Sequence, residues 1–346
     1  MNRLKTEGKA TVGTDGKTHG LPMKKIVAVC TLDAHDEGTL KAATNMARAH
    51  NAELTVMAVV DIPPEIARLS GATGISRKDI ENSFTAEYRK HVSRLTARHA
   101  HGLDPHIEIR SGKPFLEVIK YTLAHGTNMV IKTAEESKGL HRYFFTSMDQ
   151  HLLRKCPCPV WLRVNHGGQP VKTVLAAVDL DIFMTDEADD QSGLNRHILE
   201  TASRIAQTHG AALHVLHAWD APGETSVRLW SDAPDGSKAA DDYVRDIQRA
   251  HENAFDRLIE EAAVWTEGGK DHRTALIPHL KRGIARSVIP EHVRDLGADT
   301  LVIGTIARTG VPGFFIGNTA EDVLNSVDCS VVTVKPPHYV SPIEPD

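Results

Sequence analysis

The chain has few cysteines, no long apolar run and no excess of positive charge. Four cysteines, Cys30, Cys156, Cys158 and Cys329, cannot staple 346 residues together. That excludes a disulfide scaffold and fits a reducing, cytoplasmic setting. No apolar stretch approaches the roughly 18 residues that span a bilayer. A formal net charge of -5 and a pI of about 6.5 argue against a nucleic-acid binder working by bulk electrostatics. Residues 1–22 lack the apolar core of a secretory signal and read as a flexible polar tail, with Met23 a candidate functional start. Catalytic signatures are missing too. There is no nucleophile with an associated base, no G-x-S-x-G elbow and no H-E-x-x-H. Any ATP hydrolysis is therefore expected to be slow and incidental.

Histidine is plentiful, but no set of the 20 has a four-ligand metal spacing. His99, His101 and His106 crowd near a helix end. His214 and His217 lie three apart in a strand, which puts them on opposite faces. Cys156-Pro157-Cys158 has no second Cys or His pair nearby in sequence, so it reads as buried small residues entering a strand. Asp186, Glu187, Asp189 and Asp190 read as a solvated acidic loop.

What the chain does have is an internal repeat. Residues 39–61 lie against 198–220 without a gap. Leu40, Ala43, Ala47, His50, Ala52, Leu54, Val56 and Asp61 recur as Leu199, Ala202, Ala206, His209, Ala211, Leu213, Val215 and Asp220. Further matches pair 23–31 with 171–179, FLEVI (115–119) with ARSVI (285–289), and Cys158 with Cys329. Each half reads as β-α-β-α-β-α-β-α-β. Strands that are apolar almost throughout, alternating with helices, predict two similar doubly wound parallel sheets of Rossmann-like α/β class. Such a sheet has a crevice at the carboxyl ends of its strands. The expected organisation is a tail (1–22), a first domain (23–166), a linker GGQP (167–170), a second domain (171–337) and a C-terminal tail (338–346).

One glycine-spaced stretch bears on ligand chemistry. GTIARTGVPGFFIGNTAEDV (304–323) follows an apolar strand and leads into a helix whose buried face is Ala320, Val323, Leu324 and Val327. A strand, Gly-rich loop and helix can hold an anion or merely turn a corner. Asn318, with Glu321 three residues on, also resembles a capping box.

With these residues the chain resembles a tandem universal stress protein over nearly its whole length after residue 22. Nucleotide-binding members of that family carry Gly, two residues, Gly, nine residues, Gly, then Ser or Thr. Gly304, Ala307, Gly317 and Asn318 hold those positions, so the spacing is kept and two identities are replaced. The resemblance implies an Asp after the first strand that contacts adenine and ribose, here Asp179. It also implies a backbone contact at the end of the second strand, here Ala218. Arg308 can pair with a phosphate, and Thr319 follows Asn318 at the helix start. The implied ligand is ATP or another adenine nucleotide, bound in the second half only. In the first half Thr31 stands opposite Asp179, Lys132 opposite Gly304, Glu135 opposite Ala307, and Thr146 and Ser147 opposite Gly317 and Asn318.

The resemblance further implies pairing of the two domains through PVWLRV and SVVTVK, an internal pseudo-dimer, with further homo-oligomerisation left open. The reading is a non-catalytic cytoplasmic stress-response protein with an adenine nucleotide or other small molecule and unidentified proteins as partners, and no nucleic acid or membrane. Its alternatives are a scaffold or a binder of a non-nucleotide molecule and, less favoured, an adenylate-forming enzyme of the same fold group.

Overall fold

The computed structural model describes residues 22–33, 35–62, 65, 76–134, 146–164, 170–182, 189–230, 236–265, 275–305 and 316–345. The tail before residue 22 and most of the expected linker lie outside them, as do Glu135, Asp186, Glu187, Ala307 and Arg308.

The first half runs β1 (Lys25–Cys30), α1 (Asp36–His50), β2 (Glu53–Val60), α2 (Arg77–His99), β3 (His106–Ser111), α3 (Pro114–His125), β4 (Met129–Thr133), α4 (Ser147–Lys155) and β5 (Val160–Arg163). The second half runs β6 (Thr173–Val178), α5 (Asp189–His209), β7 (Ala212–Trp219), α6 (Glu224–Trp230), α7 (Gly236–Trp265), β8 (Leu276–Arg282), α8 (Ala285–Leu296), β9 (Thr300–Gly304), α9 (Asn318–Leu324) and β10 (Ser330–Val334). The short helix α6 is an addition to the expected order. Its Glu224 pairs with Arg228 on the same helix and with Arg282 of β8, charges that carry no apolar period to reveal a helix.

All strands join one ten-stranded sheet in the order β3-β2-β1-β4-β5-β10-β9-β6-β7-β8. Every pairing is parallel except the central one, where β10 runs antiparallel to β5 with Val332 opposite Trp161. That single reversal is what a two-fold relation between the halves requires. Helices cover both faces, so β1, β4, β6, β9 and β10 are buried almost end to end. One core lies beneath α1, α2, α5 and α7, the other beneath α3, α4, α8 and α9, and each runs through both halves.

Two turns correct the repeat alignment. Gly112 and Gly283 precede α3 and α8, and Gly126 and Gly297 end them in left-handed conformation. These four glycines place FLEVI opposite RSVIP (286–290), one residue on from ARSVI. Pro290 inside α8 hid the register, because its apolar neighbours are matched equally well by a one-residue slip. Gly283 has φ +141°, and a Cβ there would stand 2.8 Å from Val288 Cγ2. Gly283→Ala is expected to lose about 1–2 kcal/mol, read as a lower urea midpoint at unchanged slope.

The C-terminal segment of the chain closes back on the first half. Leu153, Arg154 and Lys155 carry the last carbonyls of α4, which a helix cannot satisfy internally. Lys335 Nζ donates to the Leu153 carbonyl at 2.6 Å, Tyr339 to that of Arg154 at 2.9 Å, and Ser341 to that of Lys155 at 2.7 Å.

Candidate functional site

A crevice of about 500 Å³ opens at the carboxyl ends of β6, β7 and β9, between α5, α8 and the start of α9. Of the residues expected at the site, Asp179, Ala218, Gly304, Gly317, Asn318 and Thr319 all line it. Four separate elements bring them together. Ala307 and Arg308 lie outside the described residues. Apart from Asn195 the rest of the wall is apolar, with Leu194, Ile198, Ile289 and Ile303.

Each polar position has a structural cause. Asp179 is exposed where β6 ends, and Asn195 of α5 holds its backbone. The Asn195 amide donates to the Asp179 carbonyl at 2.6 Å, and its oxygen accepts from the Asp179 N–H at 3.1 Å. Asn195 was not anticipated from the sequence. The repeat could have found it, since the same offset places it opposite Asp36, whose carboxylate accepts from the Thr31 and Leu32 N–H groups at 2.8 Å.

Gly304 needs no phosphate to explain it. A Cβ there would meet Leu194 Cδ2 at 2.9 Å, so glycine lets α5 approach the end of β9.

The expected capping box at Asn318 is not formed. The helix starts one residue earlier than that motif requires, so Gly317 is the N-cap and Asn318 already lies in the first turn. Gly317 offers no side chain, and its N–H is committed to the Thr305 carbonyl at 2.9 Å. Glu321 instead pairs with Arg154 of the first half at 3.2 Å. Asn318 and Thr319 stay exposed at the crevice.

The first half differs at each corresponding point. The strand registers correct the repeat alignment here: Met129 lies opposite Thr300, so Thr133 holds the place of Gly304 and Lys132 that of Ile303. Lys132 is buried and ion-paired with the equally buried Asp149 at 3.0 Å. Its ammonium also donates to the Thr133 carbonyl at 2.9 Å. Asp149 in turn closes a true capping box with Thr146, accepting from the Thr146 N–H at 3.0 Å. A buried ion pair therefore stands where the second half has Ile303 and Ala320 of the crevice wall, and a self-capped helix replaces its uncapped helix start.

The histidines distribute as their spacing predicts. His214 meets His279 on one face of the sheet, and His217 meets His251 on the other. Among the described residues no group of three or more His, Cys, Asp or Glu is placed to hold a metal ion, and no helix is long and apolar enough to cross a membrane. All four cysteines are buried and free.

Two doubly wound halves sharing one sheet, with an open crevice at the strand ends of the second, define a tandem Rossmann-like α/β protein. The universal stress protein family model matches residues 23–163 and again 187–335, and the chain belongs to that family. It is 29% identical over 235 residues to universal stress protein E of Escherichia coli K12, covering 68% of this chain and 69% of that one. It is 23% identical over 327 residues to a universal stress protein E homolog of Haemophilus influenzae, covering 91% and 98%. A solved structure of a functionally unknown protein from Pseudomonas aeruginosa PAO1 has the same fold, with a TM-score of 0.60, 24% identity, and coverage of 91% and 93%.

Proposed function

We propose that the chain is a non-catalytic stress-response protein whose second half binds an adenine nucleotide, while the first half serves as a structural partner. The observation that carries this reading is the asymmetry between the halves. The crevice walled by Asp179, Ala218, Gly304 and Asn318 is open, and Lys132 and Asp149 occupy the matching place in the first half. In this reading Asp179 accepts from the ribose hydroxyls, the Ala218 backbone faces the base, and Arg308, Asn318 and Thr319 hold phosphate. The apolar wall supports a second reading, in which the same crevice takes a non-nucleotide amphiphile. The cytoplasm is the proposed location, and 167–170 the proposed junction between domains.

Mass spectrometry of small molecules released by denaturing freshly purified protein separates the readings. Co-released ATP, ADP or AMP near one per chain supports the nucleotide, and an unrelated molecule supports the amphiphile. No release, with no ATP binding at about millimolar concentration, overturns both as ligand-bound states. Ala307→Gly is expected to raise ATP affinity about ten-fold, the equivalent of about 1–2 kcal/mol of backbone strain removed from the loop. Asp179→Ala is expected to lower it by a similar factor in the same titration.

A further inference from the structure

Cys156 and Cys158 have a geometry that burial alone does not require. Cys156 is the C-cap residue of α4, and Cys158 follows one proline later, ahead of β5. Their sulfur atoms lie 3.7 Å apart, in contact but unbonded. Among the described residues this is the one sulfur–sulfur contact, since Cys30 and Cys329 are buried without such a neighbour. Beside the pair sits Lys335, only 2% exposed. Its ammonium donates to the Leu153 carbonyl and stands 5.3 Å from the centre of the Tyr339 ring. Among the described residues no carboxylate pairs with it. The groups of opposite charge acting on it are the two thiols themselves.

A buried ammonium without a carboxylate costs several kcal/mol unless it loses its proton or gains an anion. Burial indeed pulls Lys335 down to about 8. The Cys156 thiol is lowered by its hydrogen bond with Cys158, against burial, with Lys335 helping. Burial raises the Cys158 thiol. A sulfur pair in contact, with one thiol lowered and the other raised beside a buried ammonium, is the arrangement that a reactive dithiol needs.

We propose that Cys156 and Cys158 form a redox-active dithiol that hydroperoxides oxidise to an intramolecular disulfide, with Lys335 as counter-charge to the Cys156 thiolate. The Cys156 sulfur attacks one peroxide oxygen and the O–O bond breaks. Cys156 becomes a sulfenic acid, and the other oxygen leaves as alcohol or water after taking a proton. The Cys158 sulfur then attacks Cys156, the S–O bond breaks, and the hydroxyl leaves as water with the Cys158 proton. Two thiols are oxidised by two electrons and one peroxide is reduced. The sulfur separation contracts from 3.7 Å to about 2.05 Å. Access is through the C-terminal segment that covers the end of α4, held there by the hydrogen bonds of Lys335, Tyr339 and Ser341.

The test uses the full chain, reduced and then exposed to hydrogen peroxide, quenched, unfolded and alkylated. Peptide mapping by mass is expected to find the 156–158 peptide lighter by two hydrogens and unlabelled, with label restored by dithiothreitol. Cys30 and Cys329 remain labelled. The native chain should react at least ten-fold faster than the chain in denaturant. Lys335→Gln, which keeps a donor for the Leu153 carbonyl, should slow the reaction and move its pH–rate midpoint upward. Four labelled thiols after complete consumption of a glutathione control would overturn the proposal, as would equal oxidation of all four cysteines. A native rate no faster than the unfolded rate would also overturn it. A folded Lys335→Gln variant with an unchanged pH profile would remove Lys335 from it.

Discussion

Asp149→Ala is expected to destabilise the protein by about 3–5 kcal/mol, the cost of leaving a buried charge without its partner. Lys132 is 1% exposed and Asp149 is not exposed at all, so water cannot take over when the carboxylate goes. The bond of the ammonium to the Thr133 carbonyl carries no charge to replace the carboxylate. The capping box at the start of α4 would go as well, adding about 1 kcal/mol. The double change Lys132→Met with Asp149→Leu removes both charges at similar volume. It is expected to recover most of the loss, because a buried pair seldom outperforms well-packed apolar groups. Urea unfolding followed by tryptophan fluorescence and by far-UV circular dichroism measures both variants. A single change that costs under 1 kcal/mol would mean that the pair is hydrated and the first crevice open. That would weaken the division of labour between the halves as well as the energetic estimate.

That division was partly legible before the fold was known. The sequence repeat set Lys132 opposite Gly304, and the loss of glycine from the first-half loop could be read directly, but the strand registers put Thr133 at that place and Lys132 opposite Ile303. The inward turn of Lys132 to Asp149 could not be read, because the two residues come from different elements and meet only once β4 and α4 are packed. The strands were legible because burial on both sides leaves no alternation to misread, as in TVLAAV and SVVTVK. Helix α6 was not, since ETSVRLW is too short to show a period. Asp179 and Ala218 were located by the family resemblance, and Gly304 by the loop spacing that carries it. Asn195, which holds Asp179 in place, lay just outside the gap-free repeat segment. The error at Asn318 had a local cause. Asn with Glu three residues on is a sound capping pattern, but Gly317 takes the cap because its bond to the Thr305 carbonyl fixes where the helix can begin.

The β7–β8–α8 region of the second half is expected to lose stability in mild acid while the matching β2–β3–α3 region of the first half does not, and the reason is three histidines at places where that region has none. His214 of β7, His279 of β8 and His292 of α8 correspond to Thr55, Glu108 and Tyr121, as the strand registers and the helix-ending glycines require. His214 Nδ1 and His279 Nε2 share a hydrogen bond of 2.8 Å with their rings stacked, and His292 meets His279 edge-on at 4.5 Å between ring centres. One of two bonded imidazole nitrogens must accept, so the bond does not survive protonation of both rings. Burial pushes His279 down to about 4, and the like charges of His292, His214 and Lys281 push the same way. His214 is lowered by burial. His292 is lowered by burial and by Lys281, with Asp295 and Glu291 opposing. All three therefore bind protons more readily unfolded than folded. Their stabilising effect is complete above the unfolded value of about 6.5 and drains away as pH falls toward about 4. The rings are only partly buried, so solvent screening reduces the effect to about 2–3 kcal/mol for the cluster, several degrees in Tm between about pH 7.5 and about pH 5. In the first half a hydroxyl pair takes the place of the two rings, Thr55 bonding Tyr121 at 3.1 Å. Glu108 is held below its ordinary 4.5, because hydrogen bonds from Arg110 and His106 outweigh its burial. Hydrogen exchange at the lower pH should quicken in β7, β8 and α8 before β2, β3 and α3. His279→Gln keeps an acceptor for His214 and cannot charge, so it should flatten the pH dependence of Tm. Equal acid sensitivity in the two regions, or a His279→Gln slope matching the parent, would place the acid response elsewhere than in this cluster.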